Sequence, residues 1–515
     1  MLVIAGGLRG RAQAAPDASG GNGRILLVLP FDNNTAQPSL EWIREAAAEL
    51  LTSRFTSAGF APLSRADRLY ALDHLGLPQG FQPSRASSLK LAQTLDADSI
   101  VVGSYRTDGE DIEAEAQIVN VPELHMGPAV TASGPLRDMI AVFDTLAWKL
   151  TKELDPEFDV AQETFVAAGA NLNLEAFEQY IRGITEPDQG ERLRHLNQAV
   201  KLSPDFSAAW MALAREDYSS QQYEQAAAAF AKVKGNDVET LEAGFYRGLA
   251  LMFSGEYAKA EAAFAAVARV LPLAPVLSNE GVAISRQGHD GTALFRQAEA
   301  ADPNTADYHF NLAASLKRHG DAAEAEKELA QYLKLRPSDS EGLALESAWK
   351  QPGGESSADP LERIERGFDA VAFREAAVMM DELEATRLAT LTPEQRAQTL
   401  TGRAREYLSR GLLMEAERLY RQAIAADGGF EAAHVGLAEV RERTGDAEGA
   451  RKEAQAALGI EPSAEAYLVL ARLDLAANRL EEANRDAGEA LKLSPNDQAA
   501  KEVLRQVSAK QGAAK

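Results

Sequence analysis

The chain has 515 residues, a formal net charge of −24 and no cysteine. This length exceeds what one hydrophobic core usually supports, so several domains or an extended array are expected. The acidic balance argues against a nucleic-acid-binding protein, since phosphate recognition needs a basic face. Without cysteine, disulfides, thiolate nucleophiles and zinc–cysteine sites are excluded. No run approaches the ~18 apolar residues of a membrane-spanning helix, so no integral membrane segment is expected.

Residues 1–23 carry a short apolar patch, Leu2–Leu8, followed by small residues around Ala14 that are typical of a signal-peptide cleavage site. A secretory signal also has a basic first part and a longer apolar run, and both are missing. Two interpretations stay open. A remnant of a signal peptide predicts a periplasmic or otherwise exported protein, whereas a disordered tail leaves a cytoplasmic one.

Residues 24–156 predict an α/β domain with a mixed sheet. The continuous apolar run Ile25–Phe31 is typical of a strand buried on both faces. The alternation from Ile112 to Ile118 is typical of a strand with one face in solvent. The other expected elements are helices at Ser39–Ala58, Ala66–Leu75, Ser87–Leu95 and Leu136–Leu154, and strands at Phe60–Leu63, Ser99–Tyr105 and Ala129–Ser133.

Polar residues Asp32–Asn34 follow the first strand, where open α/β sheets bind ligands. A cation or a polar ligand would fit there, but turn and helix-entry chemistry explains the same residues more simply. Neither a nucleophile elbow nor a phosphate-binding glycine motif occurs, and the seven histidines form no H-E-x-x-H pair. No catalytic residue, cofactor or metal is therefore expected, and the protein is not expected to be an enzyme.

After residue 172 a pattern recurs with a period of 34 residues: Ala226 recurs as Ala260, and Phe230 recurs as Phe264. Such a period is typical of helix–turn–helix repeats that stack to bury a continuous core. The expected segments are a first array at 173–349, a linker at 350–360, a divergent helical pair at 361–391, and a second array with a terminal capping helix at 395–510. The fold class is therefore mixed, with an α/β domain followed by an all-α superhelix in two segments.

The repeats resemble the tetratricopeptide repeat (TPR) family in Trp210, Leu213, Ala214, Ala226 and Phe230. The N-terminal sequences VLPF, EWIREAAAELLTSRF, LDADSIVVGSY and EAEAQIVNV resemble the N-terminal domain of TolB and the related FlgO- and CsgG-like domains. The first resemblance implies a scaffold that binds a protein partner. The second implies a module for assembly in the cell envelope or periplasm, without the lipidation cysteine of CsgG-type lipoproteins.

In TPR proteins the first helix of each unit lines a groove that binds a partner segment. Mapping this pattern onto the chain gives candidate groove residues that are mostly apolar with scattered cations: Met211, Arg215, Tyr218, Phe245, Leu249, Met252, Phe310 and Lys317. Such a surface suits an amphipathic helix or an extended peptide, although inter-repeat packing explains the same apolar stripe. A rival interpretation assigns ligand sensing or catalysis to the N-terminal domain and only recruitment to the repeats.

Overall fold

The computed structural model describes residues 25–78, 84–169, 172–235, 238–350 and 360–513. The suspected signal-peptide remnant and nearly all of the predicted linker lie outside these residues. Contacts group the chain into two compact units: a central unit, residues 182–384, and a terminal unit, residues 25–181 together with 385–513. Within the described residues, no helix is long and apolar enough to cross a membrane.

The N-terminal part of the terminal unit is built on a seven-stranded mixed sheet. Its strands are β1 (Ile25–Val28), β2 (Asp32–Asn33), β3 (Ala61–Pro62), β4 (Ser99–Thr107), β5 (Asp111–Asn120), β6 (His125–Met126) and β7 (Val130–Pro135). Strand β1 runs parallel to β3 and β4, while β5 runs antiparallel to β4, β6 and β7. As the two sequence patterns predicted, β1 is buried along Leu26–Val28 and β5 begins with strictly alternating buried and solvent-facing residues.

The described helices in this part of the chain are α1 (Ile43–Ser57), α2 (Arg65–His74), α3 (Arg85–Thr94), α4 (Met139–Leu154) and α5 (Gln162–Ala167). Helices α1 and α4 pack together, and Arg54 on α1 donates two hydrogen bonds to Asp144 on α4. Burial raises the pKa of Asp144 to about 6, because lost hydration outweighs the attraction of Arg54. A Cβ at position 169 would overlap this ion pair, so only glycine lets the chain close over it.

The remaining helices follow one another as hairpins. Up to residue 349 they are α6 (Leu174–Thr185), α7 (Gln189–Leu202), α8 (Ser207–Ser219), α9 (Tyr223–Phe230), α10 (Val238–Phe253), α11 (Tyr257–Ala268), α12 (Ala274–Arg286), α13 (Thr292–Ala301), α14 (Ala306–Arg318), α15 (Ala322–Leu335) and α16 (Ser340–Trp349). Helix α17 (Ala370–Ala389) precedes α18 (Pro393–Ser409), α19 (Leu413–Ala426), α20 (Glu431–Thr444), α21 (Ala447–Ile460), α22 (Ala464–Ala476), α23 (Leu480–Leu493) and α24 (Gln498–Ala513).

Small residues explain how closely the two helices of a hairpin approach. A Cβ on Gly248 would overlap the ring of Phe264, and a Cβ on Gly281 would overlap the ring of Phe295. The large ring of the second helix therefore fills the space that the small residue of the first leaves open. A mixed-sheet domain followed by helical hairpins confirms the predicted fold class.

Two local predictions in the N-terminal domain are wrong. Asp32 and Asn33 do not form a turn, since they pair in parallel with Ser104 and Tyr105 of β4 as strand β2. The helix predicted to start at Ser39 begins only at Ile43 as α1, because Ser39 lies in a short 3₁₀ turn, Pro38–Leu40.

The predicted helical pair at 361–391 is also wrong. Residues 361–369 form no helix, and one helix, α17, follows them. The physical reason is that backbone groups in this stretch hydrogen-bond to side chains of the first array instead of to each other. Residues 360–369, called the groove segment below, therefore belong to the candidate site.

Candidate functional site

The groove segment lies against α10, α12 and α14, the first helices of three consecutive hairpins, and these helices form the groove. Asn311 donates to the Arg363 carbonyl at 2.8 Å and accepts from the Arg363 amide at 2.6 Å. Asn279 repeats both bonds with Glu365, at 2.8 and 2.9 Å. Both asparagines are completely buried, so these paired bonds replace the water that their amides lose on burial.

The side chain of Glu362 enters a basic pocket between the C-terminal ends of α12 and α14. Its carboxylate accepts hydrogen bonds from Ser285, from Arg318, and from Arg286 at 3.2 Å. Arg286 also donates to the Glu362 carbonyl, and Arg318 donates to the Pro360 carbonyl. Glu362 is only 3% exposed, and two guanidinium groups therefore face one buried carboxylate.

The next side chain, Arg363, enters an acidic and aromatic pocket. Its guanidinium lies 4.1 Å from the ring centroid of Phe310 and donates a 2.5 Å hydrogen bond to the Tyr332 hydroxyl. Burial raises the pKa of Tyr332 to about 12, so this hydroxyl accepts the bond as a neutral group. The acidic partners of Arg363 are Asp307 at 3.0 Å, Glu341 at 3.1 Å and Asp339 at 3.4 Å.

Aromatic contacts hold the end of the segment on α10. Phe368 lies 5.7 Å from the ring centroid of Phe245 and 6.3 Å from that of Tyr246. The guanidinium of Arg366 lies 5.2 Å from the ring centroid of Phe253. The segment thus runs from the later hairpins towards the earlier ones.

The residues that contact the groove segment have the same spacing in all three helices. Each helix places two contact residues seven positions apart, which is about two helical turns and hence one face. The pairs are Tyr246 with Phe253, Asn279 with Arg286, and Asn311 with Arg318. In α12 and α14 the residue nearer the helix N-terminus binds the backbone of the groove segment, whereas Tyr246 in α10 contacts the Phe368 ring.

The candidate groove residues from the sequence fall into three groups. Phe245 and Phe310 touch the groove segment directly. Tyr218 packs edge-to-face against Tyr246, Arg215 pairs with Glu242, and Lys317 lies over the Trp349 ring. The remaining residues are buried in the hydrophobic core of the central unit: Met211, Leu249 and Met252.

The residues that hold the backbone are missing from the predicted set. Asn311 directly follows Phe310, so the prediction lay one position away from it. The signal was present in the sequence: Asn279 and Asn311 are each followed by an arginine seven residues later. Two asparagines that are each followed by an arginine at the same spacing indicate a row of polar contacts along the helices rather than a hydrophobic core.

A group of Glu299, His309 and Glu328 has the composition of a metal site. However, both ring nitrogens of His309 already have partners, Glu328 at 2.8 Å and the Pro303 carbonyl at 3.0 Å. In the second array His434 makes the same two kinds of contact, with Glu453 at 2.7 Å and the Gly428 carbonyl at 3.3 Å. The arrangement is therefore a repeated packing element of the hairpins.

A second docked segment lies within the terminal unit, where α5 packs against α19 and α20. The fully buried carboxylate of Glu417 accepts hydrogen bonds from the Ala161 amide and the Thr164 hydroxyl. Arg421 and Arg441 face the same carboxylate at 3.0 and 3.6 Å. Glu417 thus binds the N-terminal end of α5, where helical amide groups lack partners.

Comparison with known proteins supports the repeat assignment. The sequence profile described as tetratricopeptide repeat matches residues 286–340 and 401–465. No curated protein matches the chain by sequence.

Several solved structures are similar to parts of the chain. The first TPR of Spaghetti (RPAP3), bound to HSP90 peptide SRMEEVD, is 25% identical, with 23% of this chain and 95% of that chain covered and a TM-score of 0.22. YrrB, described as a TPR protein with an unusual peptide-binding site, is 14% identical, with 39% and 98% covered and a TM-score of 0.29. MamA from Desulfovibrio magneticus RS-1 is 19% identical, with 33% and 99% covered and a TM-score of 0.29. The profile match and the helical hairpins together confirm that the chain contains tetratricopeptide repeats.

Proposed function

We propose that the protein is a non-enzymatic scaffold whose first array binds an extended peptide segment of a partner protein. One observation carries the proposal: the groove already holds an extended stretch of polypeptide, residues 360–369, by paired bonds from Asn279 and Asn311 to its backbone. Backbone bonds of this kind do not depend on the ligand's side chains. They therefore suit a surface that receives a segment from another chain.

Selection from a displayed library of random peptides tests the proposal without a known partner. The bait is the full chain with Glu362→Ala and Arg363→Ala, which removes the ionic contacts of the groove segment and weakens its hold on the groove. Enriched peptides are expected to bind this chain in calorimetry. Binding is expected to be lost when Asn279→Ala and Asn311→Ala are added.

The matched control is Asn304→Ala, which removes an asparagine from an exposed turn between α13 and α14. It is expected to leave peptide binding unchanged. A selection that enriches no peptide dependent on Asn279 and Asn311 contradicts the proposed function.

A place in cell-envelope or periplasmic assembly is the second part of the proposal. It is supported by the resemblance of residues 24–155 to the TolB, FlgO and CsgG-like domains and by the signal-like residues 1–23. Fractionation of cells that make the full-length gene product, with mass spectrometry of its N-terminus, tests this part. A cytosolic protein with an uncleaved N-terminus contradicts it.

A further inference from the structure

Two neighbouring side chains of the groove segment meet surfaces of opposite charge. Glu362 faces Arg286 and Arg318, whereas Arg363 faces Asp307, Asp339 and Glu341. Successive side chains of an extended chain point in opposite directions, so each enters its own pocket. The groove thus distinguishes the order of the two charges.

The register of the peptide fixes this order. The amide and carbonyl of residue 363 bind Asn311, and those of residue 365 bind Asn279. A peptide held by the same bonds cannot slide by one residue, because its backbone groups would then face away from both asparagines. An arginine placed first would lie against two arginines, and a glutamate placed second would lie against three carboxylates. Such like-charge contacts select against the reversed order.

We propose that the groove selects partner segments in which a glutamate directly precedes an arginine, and that the groove segment occupies the site as an internal competitor. This inference rests on the proposed function, and it adds the chemistry of the partner. Ser285 strengthens the glutamate pocket, and the Phe310 and Tyr332 rings form the walls of the arginine pocket.

The internal competitor lowers the apparent affinity for any partner. The groove segment and the groove are parts of one chain, and a tethered ligand acts at an effective concentration in the ~mM range. A partner peptide must displace it. The unmodified chain is therefore expected to bind a free peptide more than ~10-fold more weakly than a chain whose own segment no longer fits.

Two labelled peptides of identical composition test the order of charges. Both have the sequence of residues 360–369 with Glu365→Ala and Arg366→Ala, so that residues 362–363 are the only neighbouring acid and base in each peptide. One peptide keeps the Glu-Arg order at 362–363, and the other reverses it. Fluorescence anisotropy measures their affinity for the full chain carrying Glu362→Ala and Arg363→Ala.

The Glu-Arg peptide is expected to bind more tightly than the Arg-Glu peptide by a factor on the order of 100. Hydrogen exchange in α10, α12 and α14 checks that the array of the host chain stays folded. Equal affinities overturn the order-specific proposal and leave the proposed function intact. Binding of neither peptide overturns both proposals, and equal binding to the modified and unmodified chains overturns the internal competitor.

Discussion

The two helical arrays are built from the same hairpin, yet each holds a different kind of segment. In the central unit, Asn279 and Asn311 bind the backbone of an extended stretch. In the terminal unit, α19 and α20 hold the short helix α5, and Glu417 binds its N-terminal end. A shared architecture therefore does not fix the ligand, because the ligand depends on a few polar positions on the helices.

Aligning the two arrays on equivalent residues shows which helix position differs between them. His309 and His434 make the same two contacts, and aligning them matches Asn311 with Gly436. Gly402, one period of 34 residues earlier, holds the same position in the preceding hairpin. At this position α18 and α20 thus carry glycine, which has no side-chain amide to bind the backbone of a ligand.

The largest expected effect is on the helix-binding site of the second array. Glu417→Ala leaves the Ala161 amide and the Thr164 hydroxyl without their buried acceptor, and each buried donor left unsatisfied costs about 1–3 kcal/mol. Hydrogen exchange in residues 159–168 and in α19 is expected to accelerate strongly. Glu448→Ala, on an exposed position of α21, is the control. Equal exchange in the two variants would mean that Glu417 does not hold α5.

A smaller effect is expected at the position that distinguishes the arrays. A Cβ at Gly436 would overlap the ring and hydroxyl of Tyr420, so Gly436→Ala should destabilise α19 and α20 by about 1–2 kcal/mol. The matched change Gly402→Ala meets open space and should be neutral or stabilising by up to ~1 kcal/mol. Local opening free energies from hydrogen exchange compare them. If Gly436→Ala is as harmless as Gly402→Ala, Tyr420 does not exclude a side chain there.

The smallest effect is a dependence of stability on pH. The hydrogen bond with Glu453 raises the pKa of His434, so the folded state favours the protonated ring. The stabilisation is present below the usual pKa of about 6.5 and is lost as the pH rises through the higher folded-state pKa. The melting temperature of the unmodified chain minus that of His434→Gln should therefore fall between about pH 6 and pH 8.5, by about 2 °C or less.

This difference isolates His434, because Asp144 titrates with a pKa of about 6 in both proteins. The neighbouring Arg441 lies 3.4 Å from Glu453 in both proteins. Glu453→Gln should flatten the same pH dependence. A difference that stays constant across the range would show that folding does not shift the pKa of His434.

Sequence patterns predicted the helical hairpins well because the patterns arise from packing between residues that are close in sequence. The 34-residue recurrence of Ala226 and Phe230 marks where small and large residues pack within each hairpin. Both docked segments escaped prediction because their contacts span long sequence separations. Asn279 and Glu365 are 86 residues apart, and Thr164 and Glu417 are 253 apart. Periodicity within a helix carries no information on such pairings, although the repeated Asn-to-Arg spacing of seven pointed to the polar face.

The bonds of Asn279 and Asn311 also define a unit of length. Consecutive hairpins bind residues 365 and 363, so the array advances by one repeat for every two residues of the bound chain. Two residues of an extended chain span about 6.6 Å. The array therefore binds two residues of a peptide with each repeat. The number of consecutive repeats that carry the asparagine sets the length of peptide that the array can bind.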